Sequence, residues 1–103
     1  MVNIIIYLKK EDNAKELVKF LLEEKLIASA KIDENNISYK LENHTLSEMV
    51  FSVITAQSKS LLFSKIVKAV ESKIGKDTPI NSTPIVGSNR FFDDSIRTKT
   101  IPT

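Results

Sequence analysis

An α+β fold in the order βαββαβ, closed by a short terminal helix, is what this 103-residue sequence predicts. Three observations carry it. Two segments, 14–25 and 61–74, repeat their apolar residues at helical spacing. Four short runs rich in β-branched and aromatic residues read as strands, and two of them lie between the helices, joined by one tight turn at 42–45. The other two strands open and close the order. That is the split βαβ arrangement of a ferredoxin-like domain. The right-handed crossover rule then puts both helices on one face of a four-stranded antiparallel sheet.

Residues 2–8, VNIIIYL, form a nearly continuous apolar run, too short for an ordinary helix and suited to a strand buried on both faces. Asn13 with Glu16 has the spacing of a capping box, and Ala14, Leu17, Val18 and Leu21 fall on one face of a helix running to about Lys25. Small residues at Ala28, Ser29 and Ala30 then predict a closely packed start to the second strand. The polar stretch 33–36 suits a bulge or a wide turn, after which Ile37, Tyr39 and Leu41 alternate with Ser38 and Lys40. Residues 48–55 supply the third strand. Ser58 or Ser60 is expected to cap the second helix, whose inner row is Leu62, Ile66, Val70 and Ile74, with Gly75 as its stop. Pro79 and Pro84 confine the fourth strand to a short, peripheral position. Asn89 is placed to cap a last helix with Phe92 and Ile96 on one side, and Asp93 and Asp94 in its first turns suit the helix dipole.

Composition describes one ordinary globular domain: 42% hydrophobic and 27% charged residues, net charge +2. So balanced a charge gives no argument for a nucleic-acid or membrane partner. Cysteine is absent, which excludes disulfides, thiolate metal sites and thiol nucleophiles. The start of the chain lacks the pattern of a secretion signal, and no apolar run approaches a membrane span, so a cytoplasmic location is expected.

Residue by residue, the chain resembles the CutA divalent-ion tolerance family. The segment NAKELVKFLLEEKLIASAKI at 13–32 is similar to that family's amphipathic helix ending in EE-x-LAAC-x-NI. Ser38-Tyr39, Glu48 with MVFSVIT, Pro79, Pro84-Ile85 and Phe91-Phe92 stand where the family carries related residues, and the likeness spans about 2–97. The departures are specific. Ser29 occupies the cysteine position, Lys40-Leu41 replaces a tryptophan-rich patch, and Lys76-Asp77 stands where a His-Pro-Tyr run is usual. Ile54 replaces the lysine before Thr55, and the proline spacing is one residue shorter. The resemblance implies a non-enzymatic homotrimer without a cofactor, linked to divalent metal cation tolerance or response. It does not carry over a copper site built on that cysteine and histidine.

His44 is the only histidine, and beside Glu42 it is the one candidate metal ligand, short of the three or four that a closed site needs. Asp93-Asp94 and Asp33-Glu34 point their carboxylates apart, which makes poor acid/base dyads. Ser29 is expected to bind nothing. A ligand site, if present, is expected in an inter-subunit cleft near Tyr39, Glu48 and Thr55, because no single chain gathers enough polar groups. Two other readings compete. A PII-like small-ligand sensor shares the fold and trimeric assembly, but the short 42–45 turn and the scarcity of glycine oppose it. An RNA-binding module shares the strand order, but strands one and three offer only Tyr7 and Phe51 for stacking.

Overall fold

The alternation of the first strand decides where the core lies. In a computed structural model describing residues 1–103, β1 (Val2–Lys9) buries Val2, Ile4, Ile6 and Leu8, while Asn3, Ile5 and Tyr7 on its other face are half-buried. The second face is thus less enclosed than the apolar run predicts. After β1 come α1 (Ala14–Glu23), β2 (Ser29–Glu42), β3 (Thr45–Ser58), α2 (Phe63–Lys73), β4 (Ile80–Pro84) and α3 (Arg90–Lys99). The sheet order is β2-β3-β1-β4, and every pairing is antiparallel. This is the ferredoxin-like α+β arrangement.

Both long helices pack on one face. Leu17 and Leu21 of α1 and Ile66 and Val70 of α2 join Ile4, Ile6, Leu8, Ile54 and Ala56 in a single apolar core. Nine of its Val, Leu and Ile side chains are essentially inaccessible to water, and each contributes about 1.5–3 kcal/mol by burial.

Helix α1 starts as its sequence dictates: the Asn13 side chain accepts a hydrogen bond from the Glu16 amide at 3.1 Å. Only this half of the capping box forms. The helix ends at Glu23, two residues before the expected end, because Lys25 adopts a left-handed conformation (φ 56°). The Lys25 amide then donates to the Leu22 carbonyl and the Leu26 amide to the Leu21 carbonyl, a Schellman closure with lysine in the usual glycine place.

Strands β2 and β3 form a hairpin of fourteen residues a side. At about 3.3 Å per residue each strand spans roughly 46 Å, which matches the molecule's longest dimension of 47 Å. Asn43 and His44 turn the hairpin with φ of 50° and 64°, both left-handed, as a type I′ turn requires. The polar stretch 33–36 is a bulge: register passes from Asp33 opposite Val53 to Asn36 opposite Phe51, with Asn35 at φ 63°. The Asn36 amide group ties it by donating to the Asp33 carbonyl at 2.8 Å.

Two expectations need correction at the second helix and the second strand. Neither Ser58 nor Ser60 caps α2, which is entered through a single 3₁₀ turn at Ser60–Leu62 without a side-chain cap. Ser58 is instead fully buried and donates its hydroxyl hydrogen bond to the Leu26 carbonyl at 2.5 Å. Ser29 is exposed rather than tightly packed; it is Ala28 that lies buried. Gly75 does stop α2, at a φ of 151° that side-chain-bearing residues rarely adopt. Asn89 caps α3 through the Phe92 amide, and β4 sits at the sheet edge as the prolines require.

Candidate functional site

Beyond the bulge the hairpin outruns the helices. Ile37 pairs with Val50, Tyr39 with Glu48 and Leu41 with Leu46, all on the face continuous with the core. Nothing in the chain covers them: Ile37 is 52% exposed, Tyr39 55%, Leu41 72% and Leu46 63%. Scattered surface leucines are normal, but a contiguous apolar stripe on a projecting arm marks an interaction surface.

The structure brings Tyr39 and Glu48 together as cross-strand partners and sets Thr55 elsewhere. Thr55 is seven residues along β3 from Glu48, or roughly 23 Å at strand rise, and on the opposite face, between Lys31 and Ile5. One chain therefore does not gather the three into one cleft. His44 stands at the exposed hairpin tip. No three His, Asp or Glu side chains converge anywhere in the chain, so its own residues do not fit a closed metal site. The carboxylates of Asp93 and Asp94 are engaged separately, by Ser88 and Arg97.

The sheet face away from the helices has two zones. At one end Ser29 donates to Gln57 Oε1 at 2.5 Å, and Gln57 Nε2 donates to Asn3 Oδ1 at 2.9 Å, a polar chain running across three strands. At the other end Tyr7 and Phe51 meet edge to face, ring centroids 6.0 Å apart at 77°. Tyr7, Phe51 and Met49 line a cavity of about 340 Å³. The α2–β4 turn forms its wall through Asp77, Thr78 and Pro79, and Lys9, Lys40, Glu11 and Asp12 stand around it. The Tyr7 amide donates to the Pro79 carbonyl at 3.0 Å, which holds that wall against β1. Sequence reasoning singled out Tyr7 and Phe51 as stacking residues but missed this cavity, whose wall comes from a turn with no motif.

A second concavity, about 460 Å³, lies between the start of α1 and the end of α2. Its charges are mixed, Glu11, Asp12, Glu16 and Glu23 against Lys19 and Lys73, and the Lys73 ammonium lies 4.3 Å from the centre of the Phe20 ring.

These features define a class: a ferredoxin-like domain whose central hairpin extends past its own core as an apolar arm. No family model and no curated protein matches the sequence. The fold, in contrast, is that of solved divalent-cation tolerance proteins. CutA1 from Oryza sativa superposes with a TM-score of 0.90 at 14% identity, over 99% of this chain and 94% of that one. The divalent cation tolerance protein CutA1 from Thermus thermophilus gives 0.86 at 24% identity, covering 97% and 99%. The periplasmic divalent cation tolerance protein CutA from Archaeoglobus fulgidus gives 0.84 at 23%, covering 96% and 98%. At these identities the likeness defines the fold.

Proposed function

We propose that the chain is a divergent CutA-like protein, a non-enzymatic homotrimer linked to divalent metal cation tolerance or response. The observation that carries this reading is the uncovered arm, with Ile37, Tyr39, Leu41 and Leu46 exposed on the face that elsewhere forms the core. A monomer would leave that stripe and the free edge of β2 in water, an aggregation hazard that closed pairing between copies removes. The full-length match to solved divalent-cation tolerance proteins supports the same reading.

In such a trimer a cleft between copies takes Tyr39 and Glu48 from one arm and Thr55 from the next chain's sheet. Any metal contact at His44 is likewise completed by a neighbour, since one chain holds too few donors. No helix is long and apolar enough to cross a membrane, and the cytoplasm is the location assigned with this reading. Sedimentation at micromolar concentration tests the assembly: a species of three times the 11.6 kDa chain mass is expected, and a clean monomer overturns it. Growth of a strain lacking the protein in graded divalent salts tests the role. Greater sensitivity is expected, and unchanged growth across the series overturns it.

A further inference from the structure

The cavity at the α2–β4 end of the open sheet face combines an aromatic and thioether floor with a carboxylate rim. We propose that it binds a small organic cation, an alkylammonium or methylated ammonium group. Tyr7 and Phe51 are half-buried, so part of each ring is presented to the cavity that both line with Met49. The face of an aromatic ring attracts an ammonium, more strongly as water is excluded, and the polarisable sulfur of methionine adapts to its alkyl groups.

Charge selects the sign of the guest. Two lysines and three carboxylates line the cavity, Lys9 and Lys40 against Glu11, Asp12 and Asp77, a local net charge of −1 in a chain of net +2. Both lysines are already engaged. Lys9 Nζ lies 3.4 Å from Asp77 Oδ2, and Lys40 Nζ lies 3.3 Å from Glu42 Oε1. Glu11 and Asp12 have no such partner among the chain's ion pairs. An anion would face those carboxylates without a free ammonium to meet it. A neutral guest would use the rings but gain no attraction from the rim. A cation satisfies both. The volume lies at the small end of the range for ligand sites, roughly 300–1,000 Å³, which admits a small organic molecule. Every lining residue comes from one chain.

Titration of isotope-labelled protein by NMR with n-butylammonium, n-butanol and n-butyrate, matched in length and differing in charge, decides it. Butylammonium is expected to shift the Tyr7, Phe51 and Thr78 amides saturably in the millimolar range, with the alcohol and the carboxylate about fivefold weaker or more. Phe51→Leu, which keeps apolar bulk but removes the ring face, is expected to weaken butylammonium by about five- to tenfold. A Glu11→Gln/Asp12→Asn variant changes side chains at the surface, so it keeps the test valid if Phe51→Leu fails to fold. It should lose most of the preference over butanol. Equal or tighter binding of butyrate or butanol, or no saturable shift with butylammonium, overturns the proposal.

Discussion

Residues 45–50 and 51–58 are two halves of one unbroken strand, yet they live in different solvents. In the second half Ser52, Ile54, Ala56 and Ser58 are buried beneath the helices; in the first, Leu46 and Glu48 on the same face are exposed. Backbone pairing with β2 continues through both, interrupted only by the bulge. The sequence character of the halves is similar, so strand formation here depends on pairing and alternation, while burial depends on what lies above. The helices extend over only part of the sheet, and the hairpin exceeds them.

Four substitutions would break or sharpen that contrast. The largest effect is expected in the covered half: Ile54→Ala leaves a cavity in the core and should cost about 2–5 kcal/mol in denaturant unfolding. A loss under about 1 kcal/mol would mean that the covered half is not the structural centre. Ser58→Ala, further along the same buried face, strips the Leu26 carbonyl of its buried donor. About 1–3 kcal/mol should be lost, read as a lower thermal midpoint. At the hairpin tip the sign reverses. His44 holds a left-handed backbone at φ 64°, and His44→Gly should stabilise by about 0.5–1 kcal/mol in the same unfolding assay. The smallest effect in dilute protein is Leu46→Ala, expected within about 0.5 kcal/mol of wild type. Its cost should grow with protein concentration as copies cover the arm, and a midpoint difference independent of concentration would contradict that coverage.

Most of this architecture is legible in the residues. The helical spacing of Leu17 and Leu21 and of Ile66 and Val70 gives the two core helices, and Pro79 and Pro84 place β4 at an edge. The misses have local causes. Lys25 does what glycine ordinarily does, so the end of α1 carries no sequence mark. Ser58 looks like a cap because caps and buried hydroxyl ties use the same side chain, and only the approach of Leu26 from another element distinguishes them. Alternation predicts which residues share a face but not how far a helix reaches over them, which is why the exposure of Leu41 and Leu46 was hidden. The candidate residues divide in the same way. Tyr39 and Glu48 meet because register is encoded nearby, whereas the cavity around Tyr7 depends on the distant turn at Asp77–Pro79.

The extra residue at the bulge acts as a change of phase. Before it, the odd-numbered residues Ser29, Lys31 and Asp33 share the open face; after it, the even-numbered Asn36, Ser38 and Lys40 do. If the same residues alternated straight through without that step, Ile37, Tyr39 and Leu41 would fall on the open face, leaving Ser38 opposite Glu48 and Lys40 opposite Leu46. The two strands would then carry their apolar residues on opposite sides, and neither side would be coherent. A single inserted residue thus gives the arm a greasy side and a wet side. It also fixes which of the two would meet a neighbour in the proposed trimer.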